Sequence, residues 1–221
     1  MIQNKRINLF AGHYGSGKTN IAVNYALTLA AEGHAVTIAD LDIVNPYYRT
    51  KDSAQQLEAA GIRLISSRYA NTNVDLPALP QQMYAVTEDQ SRRAVIDVGG
   101  DDRGALALGR LAPAILAEND YEMLAVINRS RPLTRTPADT AEVLREIEEA
   151  CGIGFTGIVN NTNLGPQTTA DLVLGSLDYA KEVGALCGLP VRLTTVSEKL
   201  YNTLKDQINS LMPLQLQKTI W

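Results

Sequence analysis

Short apolar runs alternate with longer amphipathic stretches along almost the whole chain. A buried strand shows a short apolar or β-branched run, whereas a surface helix shows apolar residues at every third or fourth position. Seven runs have the strand pattern and lie near residues 6–12, 35–40, 62–67, 93–98, 122–128, 154–160 and 190–195. Strands that alternate with helices predict a three-layer, doubly wound α/β fold with a mostly parallel sheet of about seven strands.

Two helices are predicted together with their ends. The first begins inside residues 17–33, where apolar residues recur at helical spacing, and Gly33 is placed to end it. A later helix is predicted from Thr136 as N-cap and Pro137 at the first helical position. The least periodic stretch, residues 68–90, is predicted to be a long surface loop or a partner-facing insertion.

Composition narrows the class of protein. With 221 residues, of which 45% are hydrophobic, the chain is long enough for one domain spanning residues 1–221. The net charge is −4 and the basic residues are scattered, which argues against nucleic acid as a partner. The N-terminus leaves no room for a signal peptide, and no apolar run is long enough for a membrane span. We therefore expect a cytoplasmic protein without stable membrane insertion.

A phosphate-binding loop is predicted between the first strand and the first helix. Its pattern is that of Walker A, with a strand before it and a helix after it, as phosphate binding requires. Backbone N–H groups turn around phosphate oxygens in such a loop, Lys18 bridges the β and γ phosphates, and the Thr19 hydroxyl ligates Mg²⁺. The loop consists of Gly12, His13, Tyr14, Gly15, Ser16, Gly17, Lys18 and Thr19.

Carboxylates follow two further strands at the expected ligand edge of the sheet. Asp40 and Asp42 stand two positions apart where the second strand ends, so one can orient a water for attack and the other can hold Mg²⁺. Asp97 ends the apolar run of the fourth strand, as a Walker B carboxylate does, and is a second candidate for the Mg²⁺ site. The sequence thus predicts ATP and Mg²⁺ as ligands.

Four segments together resemble a known family. These are the phosphate loop and residues 22–46, 94–101 and 157–163. They are similar to the deviant Walker A ATPases of the MinD/ParA type, of the SIMIBI class of P-loop NTPases, which include Mrp-like metallocluster carriers and arsenite-pump ATPases. The resemblance implies a homodimer that closes on ATP and slow hydrolysis timed by a partner protein.

The resemblance also implies roles for single residues. Asp40 matches the family's water-activating Asp, Asp42 its switch Asp and Asp97 its Walker B Asp. Asn160 matches an Asn that hydrogen-bonds the adenine amino group. His13 departs from the pattern, because the family carries a lysine there that reaches the partner's phosphates. Either His13 replaces that lysine in role, or it is a loop residue that tolerates solvent.

Three classes of function remain open at this point. The leading prediction is a Mg-dependent ATPase that acts as a nucleotide-driven switch on an unidentified partner protein. An ATP-dependent synthetase or kinase is the second, with Arg129, Arg131 and Arg135 as the available substrate-binding cluster. An ATP-binding protein with little turnover is the third. The apolar C-terminal stretch is expected to pack on the body of the protein or on a second copy.

Overall fold

The core of the protein is one eight-stranded sheet in which every strand pair is parallel. The computed structural model describes residues 2, 5–41, 53–66, 79–100 and 102–216. The strand order is β3-β2-β4-β1-β5-β6-β7-β8. The strands are β1 Ile7–Ala11, β2 Val36–Leu41, β3 Arg63–Ser66, β4 Arg93–Val98, β5 Tyr121–Ile127, β6 Gly157–Asn160, β7 Val191–Ser197 and β8 Leu211–Leu214. The predicted α/β class and all seven predicted strands are confirmed.

Helices connect the strands, as parallel pairing requires. Their bounds are α1 Lys18–Ala31, α2 Ala54–Ala59, α3 Ala85–Glu88, α4 Asp102–Gly109, α5 Ala112–Glu118, α6 Pro137–Cys151, α7 Ala170–Leu174, α8 Leu177–Cys187 and α9 Glu198–Leu204. Three short 3₁₀ turns add Gln81–Tyr84, Pro132–Thr134 and Gly165–Gln167 in the described part of the chain.

Both faces of the sheet are buried, because side chains alternate between them along each strand. One face packs against α1 and α2 and carries Phe10, Val95 and Leu124. The other packs against helices that include α4, α6 and α8, and Ile96 and Ala125 belong to it. This double burial explains why the strands appear in the sequence as continuous apolar runs.

The two predicted helix ends agree with the structure. Gly33, with a φ of +89°, follows the end of α1, and its N–H donates to the carbonyl of Ala30 at 3.0 Å. Thr136 caps α6 by accepting a hydrogen bond from the N–H of Asp139 at 3.2 Å. Pro137 is the first residue of α6, where its missing N–H costs nothing.

The eighth strand is not among the predicted ones. β8 reads Leu-Met-Pro-Leu, and a proline inside a short run argues against a strand. The sheet tolerates Pro213 because β8 is an edge strand, paired with β7. In the apolar C-terminal stretch, Leu214 is buried on the body of the protein, and residues 217–221 lie outside the described part.

Two further expectations meet the structure only in part. Of the predicted loop over residues 68–90, positions 68–78 lie outside the described residues, and positions 81–88 form a 3₁₀ turn followed by α3. Among the described helices, none combines the length and the apolar character that crossing a membrane demands.

Candidate nucleotide-binding site

The loop between β1 and α1 has the backbone of a phosphate-binding loop. Gly12, Gly15 and Gly17 have φ angles of +149°, +73° and +95°, which side chains other than that of glycine rarely allow. A Cβ on Gly12 would lie 2.3 Å from the carbonyl oxygen of Val126, and a Cβ on Gly17 would lie 2.2 Å from Nδ2 of Asn161. Close packing against the neighbouring strands therefore requires glycine at both positions.

Two side chains from outside the loop bind its carbonyl groups. Nε of Arg131 donates to the carbonyl of Gly15 at 2.8 Å, and Nδ2 of Asn161 donates to that of Ser16 at 2.6 Å. The hydroxyl of Thr195 donates in turn to Oδ1 of Asn161 at 2.6 Å. In a trans peptide the C=O and N–H groups point in opposite directions, so the bond to Asn161 directs the next N–H away from that side chain. Donors are thereby held in place for an anion.

The amine of Lys18 lies within the loop. Nζ donates to the carbonyl oxygen of His13 at 3.4 Å, and the side chain is only 4% exposed. The segment after β4 also touches the loop, because a Cβ on Gly100 would lie 2.8 Å from this Nζ and 2.7 Å from the backbone nitrogen of Tyr14. Gly100, shortly after β4, thus permits close approach to the loop.

The two predicted carboxylates on β2 and β4 lie side by side. The Cα atoms of Asp40 and Asp97 are partners in the β2–β4 register, and Asp97 also pairs with Phe10 of β1. Side chains alternate between the two faces of the sheet along a strand. Both carboxylates therefore lie on the face that packs against α1, together with Phe10 and Val95. Both are buried, with exposed fractions of 5% for Asp40 and 0% for Asp97. The structure thus brings Asp40 and Asp97 together, and their roles toward a nucleotide stay predictions.

The structure describes two of the three residues predicted to hold a metal, Thr19 and Asp97. Thr19 stands in the first turn of α1 and is 5% exposed, and Asp97 is the second-last residue of β4, the strand next to β1. Asp42 lies outside the described residues. Within the described part, no group of three or more His, Cys, Asp and Glu side chains could hold a metal ion. Mg²⁺ bound with a nucleotide takes only one or two protein oxygens, and the remaining ligands are phosphate and water.

Asn160 lies inside the protein instead of at the edge of the loop. Its Nδ2 donates to the hydroxyl of Ser176 at 2.8 Å, and its Oδ1 accepts from the hydroxyl of Thr162 at 2.8 Å and the N–H of Thr162 at 3.2 Å. The side chain is fully buried. Contact with a base would require these hydrogen bonds to be exchanged, so its role toward adenine stays a prediction.

Sequence reasoning did not identify Asn161 and Thr195, which support the loop. The polar run after β6 marks a loop at the ligand edge, but it does not show which of two neighbouring amides faces the phosphate loop, because adjacent side chains point to opposite sides. Arg131 was predicted as part of a substrate cluster and bonds to the loop instead. Arg129 donates from Nη1 to the carbonyl of Gly175 at 2.9 Å.

His13 and Tyr14 form the outer part of the loop. Tyr14 is 48% exposed, and His13 is partly buried. Burial lowers the pKa of His13 from 6.5, and the positive charge of Lys18 lowers it further. Both causes disfavour the imidazolium, so in the free protein His13 is neutral at pH 7 and can donate one hydrogen bond.

A cavity of about 320 Å³ extends from the phosphate loop toward the β8 edge of the sheet. Its walls are formed by the loop, the first turn of α1, the segment after β6, the end of β7 and the C-terminal strand. Its described lining holds the cations Lys18 and Arg131 together with amide, hydroxyl and apolar groups, and no carboxylate. The volume lies within the range of small-molecule sites.

The whole chain resembles solved P-loop proteins in its backbone. The cell division protein FtsY of Thermotoga maritima is 19% identical with a TM-score of 0.58, and covers 87% of this chain and 62% of its own. The 54 kDa signal recognition particle protein of Aeropyrum pernix K1, in complex with GDP, is 18% identical with a TM-score of 0.55. There the match covers 88% of this chain and 42% of that one.

The chain shares the three-layer α/β fold of these proteins. A third similar structure, the signal recognition particle receptor FtsY of Elizabethkingia anophelis in complex with GDP, is 17% identical with a TM-score of 0.56. That match covers 99% of this chain and 62% of the receptor. This chain thus corresponds to less than two thirds of the length of each of these proteins. Neither models of protein families nor curated proteins gave a match.

Proposed function

We propose that the protein is a Mg-dependent ATPase that acts as a nucleotide-driven switch on a partner protein. The observation that carries the proposal is the glycine loop with the Lys18 amine inside it, beside two strands whose carboxylates are in register. The cytoplasm, where ATP and Mg²⁺ are abundant, is the proposed compartment.

The phosphate loop supplies the binding energy for the triphosphate. Lys18 provides the buried cation, and the N-terminus of α1 adds free N–H groups and the positive end of its dipole. The hydroxyl of Ser16 is buried and, within the described part of the chain, has no hydrogen-bond partner. Buried hydroxyls without a partner are rare, and a phosphate oxygen would supply the missing acceptor.

Oxygen ligands for Mg²⁺ are available next to the loop. The hydroxyl of Thr19 and the carboxylate of Asp97 are proposed to hold the ion, with Asp42 as the additional switch carboxylate. The bound ion would neutralise charge on the phosphates. Asp40, one strand further from the loop, is proposed to orient the attacking water.

We propose adenine instead of guanine as the base. Guanine presents two adjacent N–H donors, and a carboxylate with its two acceptor oxygens pairs with them best. The described lining offers no carboxylate. The amide of Asn163 donates to the carbonyl of Asn161 and accepts from the N–H of Gly165, and it keeps a second N–H and a second lone pair for the edge of adenine. Two of the similar structures are complexes with GDP, but a guanine nucleotide is not proposed as the ligand of this chain.

The contact between Gly100 and the loop supports the switch. A segment that touches both Tyr14 and Lys18 must respond when a γ-phosphate enters the loop, which is how nucleotide switches work. The bound nucleotide is proposed to control the formation of a homodimer and the binding of an unidentified partner protein. Light scattering with and without Mg-ATP tests the dimer.

Calorimetry with Mg-ATP tests the proposal directly. Lys18→Ala should lower ATP affinity at least about tenfold, or about 1.4 kcal/mol, because it removes the cation inside the loop. Lys199→Ala is the matched control, since that lysine is exposed on α9. Unchanged binding in Lys18→Ala would reject the phosphate-loop assignment, and wild-type preference for GTP would reject the assignment of the base.

Turnover separates the remaining classes of function. Hydrolysis by the protein alone, or on addition of a partner, agrees with a switch. Stimulation by small carboxylic acids would favour a synthetase, although Arg129 and Arg131 already bond to main-chain carbonyls. No turnover under any condition would indicate a protein that only binds ATP.

A further inference from the structure

The C-terminal strand borders the candidate nucleotide cavity. Leu214, the last residue of β8, is 3% exposed, and Leu216 is 55% exposed, and both line the cavity. The phosphate loop and the first turn of α1 form the opposite end of the same cavity. The C-terminal segment, in which Gln215 lies 191 residues from Asn24 of α1 along the chain, thus contributes one wall of the cavity.

Asn24 of α1 ties this segment down by both of its polar atoms. Its Nδ2 donates to the carbonyl of Gln215 at 2.9 Å, and its Oδ1 accepts from the N–H of Gln215 at 2.8 Å. Nδ2 also donates to the carbonyl of Asn20 within the helix at 2.7 Å. The side chain is 9% exposed, so the amide is buried with its hydrogens and its oxygen in use. Asn24 pairs with Gln215 as a neighbouring strand would.

This pairing lies where the sheet itself ends. The last pair of the β7–β8 ladder joins Ser197 and Leu214, so Gln215 and Leu216 follow beyond it. A four-residue edge strand has few ladder bonds of its own. Beyond the ladder, the two hydrogen bonds between Asn24 and Gln215 hold the chain next to Leu216.

The lining of the cavity contains both polar and apolar groups. The segment after β6 contributes the polar groups of Asn161, Thr162 and Asn163. The end of β7 and the C-terminal strand contribute the apolar groups of Val196, Leu214 and Leu216. A flat heteroaromatic base has polar edges and apolar faces, which suits such a slot.

We propose that Asn24 is a positioning residue that holds residues 211–216 as one wall of the nucleotide site, with Leu216 packed on a face of the base. The proposal rests on the proposed function, since the base is that of the bound ATP. It concerns the base end of the site, while the phosphates remain with Lys18 and the loop.

Inorganic tripolyphosphate separates the two ends of the site. It can occupy the phosphate loop but has no base, so a defect confined to the C-terminal wall should spare it. Affinities of wild type, Asn24→Leu and Leu216→Ala for Mg-ATP and Mg-tripolyphosphate are measured by calorimetry. We expect about a fivefold loss of ATP affinity in each variant, which is roughly 1 kcal/mol. Tripolyphosphate affinity should stay within about twofold of wild type.

Matched variants control for changes that are merely structural. Thr28→Ala removes a hydrogen bond in the same helix, to the carbonyl of Asn24, without touching Gln215. Leu186→Ala truncates a leucine that is 57% exposed on α8, outside the lining of the cavity. Both should bind ATP as wild type does. Leu216→Ala keeps the test decisive if Asn24→Leu is poorly folded, because Leu216 is half exposed.

Two results would overturn the inference while leaving the ATPase proposal intact. One is ATP affinity in Leu216→Ala and in folded Asn24→Leu that equals wild type. The other is an equal loss of ATP and tripolyphosphate affinity, which would place the effect in the phosphate loop. Failure of the wild type to bind either compound would instead reject the proposed function, and this inference with it.

Discussion

The ligand edge of the sheet has two chemically different halves on either side of the phosphate loop. On the side of β4 and β2, the residues at the strand ends are the buried carboxylates Asp97 and Asp40. On the side of β6 and β7, they are neutral groups, namely the amides of Asn160 and Asn161 and the hydroxyl of Thr195. The loop lies between the two halves because β1 is central in the sheet.

The two halves solve different physical problems. Amides and hydroxyls both donate and accept, so the neutral half forms a hydrogen-bonded network that holds the loop in shape, from Thr195 through Asn161 to the carbonyl of Ser16. Carboxylates only accept, and two of them in register repel each other. The acidic half is therefore suited to a cation and a polarised water, and the neutral half to a preformed loop.

The largest expected effect concerns the acidic half. Asp40→Asn keeps the shape of the side chain but cannot take a proton, so ATP hydrolysis should fall about a hundredfold. Mg-ATP affinity should stay near wild type, as calorimetry will show. The control is Asp206→Asn, an exposed carboxylate after α9. Parallel loss of binding and hydrolysis would mean that Asp40 supports the fold and not the reaction.

Asp97 should affect the metal instead of the water. Asp97→Ala removes a carboxylate proposed to hold Mg²⁺, so the gain in ATP affinity on addition of Mg²⁺ should shrink by about tenfold. Titrations at several Mg²⁺ concentrations measure this gain. Retention of the full wild-type response to Mg²⁺ would contradict the Walker B assignment.

Asn160 tests the neutral half, with a smaller effect. Asn160→Ala leaves the hydroxyls of Ser176 and Thr162 without their buried partner, so stability should fall by about 1 to 3 kcal/mol. If Asn160 also bonds to adenine, as the resemblance implies, the ratio of ATP to GTP affinity should fall as well. Denaturant unfolding and competition binding measure the two quantities. Loss of stability with an unchanged ratio would reject the role toward adenine.

The smallest expected effect is the pH dependence that His13 contributes. Its pKa in the folded protein is lowered from 6.5, so just below that pH the unfolded chain binds more protons than the folded one. His13 therefore lowers stability as pH falls through about 6.5. When the pH is lowered from about 7.5 to about 5.5, the melting temperature of His13→Gln should fall less than that of wild type.

Bound ATP should reverse the sign of this contribution. Phosphate charge next to His13 favours the imidazolium, so ATP affinity should rise in wild type as pH falls. His13→Gln should lack that rise. Identical pH profiles of binding and melting in the two proteins would show that His13 is a bystander, and the dimer would lose the residue proposed to replace the family's lysine.

Local patterns in the sequence determined the fold class and the chemistry of the edge. These patterns are the strand periodicity, the glycine spacing and the carboxylates Asp40 and Asp97 near strand ends. They are properties of short segments, so they can be identified without knowledge of any long-range contact. The same holds for the caps Thr136 and Gly33, because a helix end is decided by a few neighbouring residues.

Only the tertiary structure decided which polar groups meet. Asn161 rather than Asn160 reaches the phosphate loop because of the register at the end of β6. Asn24 meets Gln215, 191 positions away, because β8 is added at the edge beyond β7. Such pairings depend on strand order and on which side of a strand faces the loop. Neither the strand order nor the side that faces the loop is encoded in the spacing of residues along one segment. The sequence therefore does not distinguish an amide that binds a ligand from one that binds a loop or the last strand of the chain.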